Sequence, residues 1–141
     1  MNEYTIKASK SHLQDVTTLT DTPALFVSMS EFQNIYNSQF RGSKDAQESA
    51  SNHYYWFKDR MKKVQLLVLD DIALRGVTEA FTSELYEIIN ARVNEGKSVI
   101  YTSNVTLHDL ASVLGDRITS RIEGSTFIFP LTGKDHRRKE W

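Results

Sequence analysis

The chain has 141 residues, 40% hydrophobic and 25% charged, the composition of one soluble globular domain with apolar surface for a sizeable core. Its 17 Lys and Arg oppose 18 Asp and Glu for a net charge of -1, which excludes a generally basic nucleic-acid binder and an acidic disordered tail, so any nucleic-acid contact must come from a local patch. With no Cys there are no disulfides, thiolate metal centres or cysteine nucleophiles, and with no apolar run of about 18 residues and no signal-peptide pattern the expected setting is cytoplasmic, without a membrane partner.

Pro23 introduces the first apolar run, 24–27, which reads as a short buried strand. Ser30 has the chemistry of an N-cap, with Phe32, Ile35, Tyr36 and Phe40 behind it at helical spacing. Residues 41–52 are small and polar and read as a mobile loop, and a helix over 53–62 follows. The run 64–69, which leads into Asp70 and Asp71, is almost unbroken in its apolarity, as the central strand of a parallel sheet requires. Thr78 caps the next helix, whose Phe81, Leu85, Ile88, Ile89 and Val93 share one face, and Gly96 is placed to end it. A strand over 98–102 precedes Ser103 and Asn104. Thr106 caps a short helix that Gly115 breaks, and a second short helix carries Arg117, Ile118, Arg121 and Ile122. A last strand is expected over 126–129, before a polar tail at 134–141.

Strands alternating with helices predict an α/β domain with a mainly parallel sheet and helices over both faces. Ligands in such folds bind beyond the carboxyl ends of the strands, which directs attention to Asp70, Asp71 and Asn104. A hard Mg²⁺ ion takes oxygen ligands from one or two carboxylates together with substrate phosphates. Asp70, fixed at a strand end, suits that role, and Asp71 beside it could orient an attacking water. An acidic turn after a strand accounts for the same pair. Asn104 can hold such a water if its strand neighbours that of Asp70, or can serve as a turn residue. Arg117 and Arg121 lie i, i+4 on one helix face, either as arginines that reach a neighbour's nucleotide or as an ordinary exposed face with Arg121 paired to Asp116 or Glu123.

The densest aromatic and basic stretch is Tyr54, Tyr55, Trp56, Phe57, Lys58, Arg60, Lys62 and Lys63. Aromatic platforms interleaved with basic groups suit single-stranded DNA. Four consecutive aromatics cannot share one helix face, so at least one or two are expected on the surface.

Taken in order, LLVLDDIA, LYEIINAR, TSN and LGDRITSRI resemble the DnaC/DnaI family of bacterial replicative helicase loaders, an AAA+ branch close to the replication initiator and to IstB-type transposition helpers. The resemblance covers residues 23–138. It implies a single AAA+ domain over 1–141 with the parallel-sheet core of P-loop NTPases, no lid domain and an incomplete first strand. It implies ATP and Mg²⁺ as cofactors, with Asp70 as the magnesium carboxylate together with Ser11. Asp71 matches the second acidic residue, Asn104 the sensor residue after the next strand, and Arg121 the arginine finger, with Arg117 the weaker match. Lys10 and Ser11, in Lys10-Ser11-His12-Leu13, resemble the tail of the phosphate loop, and Arg137 resembles the family's terminal sensor arginine. The implied partners are a replicative helicase, single-stranded DNA, and a second copy or another AAA+ protein met through Arg121.

The chain departs from the family at its front. The glycines of the phosphate loop GxxxxGK[ST] would fall at positions 4 and 9, occupied here by Tyr4 and Ser9, so residues 1–22 read as a degenerate phosphate loop. The expected function is therefore a helicase-loader-like ATP-binding domain, with ATPase activity if the phosphate loop works. The alternatives are a nucleotide-deficient truncated loader that binds and inhibits, and an IstB-like transposition helper.

Overall fold

The computed structural model describes residues 23–131. Three strands, β1 (Ala24–Ser28), β2 (Leu66–Asp70) and β3 (Ser98–Tyr101), form a parallel sheet in the order β1-β2-β3. The apolar β2 is central, as its composition requires. The register aligns Phe26 with Val68 and Val68 with Ile100 on one face, and Val27 with Leu69 and Leu69 with Tyr101 on the other. The helices are α1 (Met29–Ser38) and α2 (Lys44–Lys63) between the first two strands, α3 (Glu79–Asn94) between the second and third, then α4 (Leu107–Leu114) and α5 (Asp116–Glu123).

Each crossover moves one strand further in the same direction. Right-handed connections that never reverse direction place their helices on the same side of the sheet. Helices over both faces were expected, but among the described residues only the face of Val27, Leu67 and Leu69 is covered. It packs with Phe32 of α1, Tyr54 and Met61 of α2, Phe81, Leu85 and Ile88 of α3, Leu110 of α4 and Ile118 of α5 into one core. The opposite face leaves Phe26 63% and Ile100 49% exposed.

Local chemistry sets the helix ends. Ser28, Thr78 and Thr106 each accept a backbone N–H of the first turn, from Glu31, Phe81 and Asp109 respectively. The α1 cap is thus Ser28 rather than Ser30, and Phe40 lies beyond the helix and exposed. Gly115, at φ 84°, is the single residue between α4 and α5, a backbone conformation that glycine adopts without steric cost.

Two further expectations are corrected. Of residues 41–52, expected as a loop, 44–52 are helical. Ser43 caps a helix by accepting from Ala46 N, and that helix runs unbroken from Lys44 to Lys63. Ala46, Gln47, Glu48 and Ala50 are competent helix formers, so polarity there marks a solvated helix. Residues 126–129 form no strand among the described residues, and Phe127, Ile128 and Phe129 are exposed. An apolar run needs a neighbouring edge to become a strand.

Candidate functional site

Asp70 is the last residue of β2 and half-buried, and Asp71 after it is exposed. Thr102, just past β3, ties both into place. Its hydroxyl donates to Asp70 Oδ1 at 2.6 Å and accepts from Asp71 N at 2.9 Å. Its backbone continues the ladder, with Thr102 N donating to Leu69 O and Ile72 N donating to Thr102 O, both at 3.0 Å. The chain leaves the strand through Asp71 at φ 55°, a left-handed conformation that Asp tolerates better than branched residues. Asp70 therefore has a fixed orientation, and Asp71 stands in a tight exit turn that projects it to solvent.

Asn104 lies at the same end of the neighbouring strand. It is exposed in a short turn that Ser103 closes by accepting from Val105 N at 3.1 Å. Because β2 and β3 are adjacent, Asp70, Asp71 and Asn104 all border the carboxyl edge of the same strand pair. Among the described residues no three His, Cys, Asp or Glu side chains converge into a metal-binding group. The carboxylates suit an ion that brings most of its own oxygen ligands, as Mg²⁺ does on a phosphate chain.

Arg117 and Arg121 are both exposed on α5, whose opposite face buries Ile118, Thr119 and Ile122. Neither forms an ion pair with Asp116 or Glu123 among the described residues. Arg117 meets Tyr86 of α3 instead. The Arg117 guanidinium lies over the Tyr86 ring, 4.3 Å from its centroid. The cationic Arg121 and Arg117 near it hold the Tyr86 hydroxyl below its ordinary pKa.

The aromatic-basic stretch divides by helix face. Tyr54 is buried against Phe32 and Tyr36 and donates to Glu84, whereas Tyr55 is 63% and Trp56 55% exposed. Tyr54, rather than Tyr55 or Trp56, is the aromatic that enters the core. His53 stacks on Trp56 at 5.9 Å, and Arg60 sits 5.2 Å from the Trp56 ring centre. The lysines are less available than the sequence suggests. Lys58 is buried and donates to Glu84 at 2.6 Å and to Glu87, Lys62 also donates to Glu87, and Lys63 pairs with Asp59 at 2.9 Å. Burial pulls the Lys58 ammonium down, but hydrogen bonds to Glu84 and Glu87 outweigh it and hold the pKa above its ordinary value.

Arg92, at the end of LYEIINAR, is fully buried. Its guanidinium donates to Met61 O and Val64 O at 2.8 Å, Lys62 O at 3.3 Å, Gln65 O at 3.2 Å and Ser98 O at 2.7 Å. One cation thus closes the end of α2, the entry to β2 and the start of β3. Sequence reasoning passed over Arg92, Tyr86 and Thr102. The signal for Thr102 was its register, one residue past Tyr101 and so beside Asp70. For Arg92 it was a basic residue four positions after Ile88, on the inward face of α3. Lys10, Ser11 and Arg137 lie outside the described residues.

Residues 43–128 match the family of IstB-like ATP binding proteins. No curated protein matches the chain. Among solved structures, it is similar to a replication initiator DnaA bound to AMPPCP and single-stranded DNA, at 26% identity and TM-score 0.57 over 72% of this chain and 29% of that one. It is also similar to AMPPCP-bound DnaA from Aquifex aeolicus, at 25% identity and TM-score 0.56 over 83% of this chain and 32% of that one. A crystal structure of a DNA replication initiation factor, at 24% identity and TM-score 0.57 over 83% of this chain and 32% of that one, shares the fold. The chain spans about a third of the length of these structures. With the parallel sheet, the acidic strand end and the matched span from α2 onward, the chain belongs to the family of IstB-like ATP binding proteins, an α/β domain of the AAA+ kind.

Proposed function

We propose that the chain is a helicase-loader-like AAA+ domain of DNA replication that couples nucleotide state to its grip on single-stranded DNA or a replicative helicase. The observation that supports this most is the strand end at which Thr102 fixes Asp70, with Asp71 and Asn104 on the same edge. In this reading Asp70, with Ser11, holds Mg²⁺ on the ATP phosphates, Lys10 contacts the phosphates, and Arg137 reads the nucleotide. The ion supplies charge neutralisation on the phosphate chain. Asp71 accepts the proton of an attacking water that Asn104 orients, and Arg121 reaches the nucleotide of a neighbouring subunit. Tyr4 and Ser9 stand where the phosphate loop needs glycine, so the chain's own nucleotide affinity is low and its arginine serves a partner with an intact loop. Titration with labelled ATP and Mg²⁺ tests this. Weak binding is expected, and no binding at all would replace the reading with that of a nucleotide-deficient truncated loader that binds and inhibits. The solved relative that carries single-stranded DNA supports a DNA-contacting role, which the exposed Trp56 and Tyr55 could serve by stacking bases.

A second reading, an IstB-like transposition helper, is favoured by the family match over residues 43–128. Co-purification separates the two: a replicative helicase is recovered in the first case and a transposase in the second.

A further inference from the structure

Two apolar surfaces stand without a cover among the described residues. The first is the open face of the sheet, where the register sets Phe26, Val68 and Ile100 in one row, with Ala24 and Leu66 beside it. The second is the segment 126–131, which carries Phe127, Ile128, Phe129 and Leu131 and no charged residue. Phe127 is 93%, Ile128 66%, Phe129 81% and Leu131 97% exposed. A large apolar residue can present roughly 200 Å², so together with Phe26 and Ile100 these residues expose about 800 Å² per copy.

The chain cannot bring its own segment to its own sheet face. Ser125 N and Thr126 Oγ1 both donate to Ile122 O, at 3.1 and 2.7 Å, and Ile122 is buried in the core on the covered side. The segment therefore leaves from the helix layer, roughly 10 Å from the sheet. Phe127 and Phe129, one and three residues past Thr126, extend at most about 10 Å, too short to pass round the sheet to its far side. A second copy has no such restriction. In extended form Phe127, Phe129 and Leu131 fall on one side and span about 13 Å, against about 10 Å from Phe26 to Ile100 across the three strands. Pro130 has no N–H to donate, so the segment suits lying across a face rather than joining an edge.

We propose that two copies of the chain form a two-fold dimer in which the 126–131 segment of each lies across the open sheet face of the other. Both apolar surfaces of each copy are then covered, and the area, about 800 Å² per copy, is that of a standard specific interface. A net charge of -1 opposes the pairing little. The dimer does not rest on the proposed role of Arg121, which lies on α5 and on neither surface.

Sedimentation equilibrium of the full chain tests this, with far-UV circular dichroism as the check on folding. A dimer with a dissociation constant on the order of micromolar is expected. Phe26→Thr keeps a strand-forming residue on β1, and Phe129→Ser lies outside every described helix and strand. Each is expected to weaken the dimer at least roughly tenfold. A two-fold exchange carries two such contacts, so a mixture of the two variants restores one of them: the intact segment of the first meets the intact face of the second. The mixture is therefore expected to pair more tightly than either variant alone. A single monomeric mass up to about 100 µM would overturn the proposal. A dimer weakened by Phe26→Thr but not by Phe129→Ser would mean that something other than the segment covers the face, and would overturn the exchange. Failure of the mixture to regain affinity would do the same. A dimer dissociated only by Arg121→Ala would assign self-association to the arginine, leaving that reading standing and overturning this one.

Discussion

The substitution Arg92→Lys keeps the charge and most of the length of the side chain and changes the number of hydrogen bonds it can form. The guanidinium satisfies five carbonyls, two of which, Met61 O and Val64 O, are reached by fully buried bonds. An ammonium donates at most three hydrogen bonds from a single point, so at least two of the five carbonyls lose the arginine, with Lys62 O keeping Lys97 Nζ as a second donor. A buried acceptor left unpaired costs about 1–3 kcal/mol, which gives an expected destabilisation of about 3 kcal/mol. The desolvation of the charge does not offset this, because both side chains carry it; burial already holds the Arg92 pKa below its ordinary value. For a chain of this size that loss lowers the melting temperature by about 10 °C. Urea unfolding followed by far-UV circular dichroism measures it, with the slope of the transition checked for constancy. A loss below about 0.5 kcal/mol at constant slope would mean that the five carbonyls find water instead, and that Arg92 is not the fastening between α2, β2 and β3.

Three further outcomes are expected. Asp71→Gly leaves stability unchanged or slightly raised while Asp71→Val costs about 1–2 kcal/mol, because only the branched residue resists φ 55°; equal effects in urea titration would remove the exit turn from the account. At alkaline pH stability falls: burial pushes Tyr101 up to about 12 and, with the Glu84 hydrogen bond, raises Tyr54 as well, so their contribution is complete below the ordinary 10.0 and is lost as pH climbs through the folded values. Tyr101→Phe should flatten the stability-against-pH slope between pH 10 and about 12. Trp56→Ala weakens binding of an oligothymidine by about 1–3 kcal/mol in fluorescence anisotropy if Trp56 is a base platform, with folding unaffected because the ring is exposed; unchanged affinity assigns DNA contact elsewhere.

The parts of the fold that were legible are those in which one local signal suffices. An apolar run ending in two carboxylates marked β2, threonine caps marked the starts of α3 and α4, and Gly96 and Gly115 marked their ends. The first half of α2 was hidden because it buries almost nothing, and hydrophobic period is the signal that separates helix from loop. The open face of the sheet was hidden because it follows from strand order, which no single segment encodes. At the site, Asp70, Asp71 and Asn104 were visible as residue types at strand ends. Thr102 and Tyr86 were not, since their importance lies in what they meet: a threonine becomes significant only when the register sets it beside an aspartate, and a tyrosine only when a later helix brings an arginine over its ring.

The sheet topology has a kinetic consequence. Ala24 pairs with Leu66, and Leu66 with Ser98, so every strand pairing closes a loop of roughly 30 to 40 residues and none begins from a hairpin. The helices can form locally within microseconds, but β1 and β2 cannot meet until α1 and α2 have folded back between them, and β3 has to wait for α3. Assembly is therefore ordered by the helices and completed by the strands. Arg92 reaches the residues where β2 and β3 begin, so its bonds close last. Its loss should accelerate unfolding and leave the folding limb of the chevron nearly unmoved.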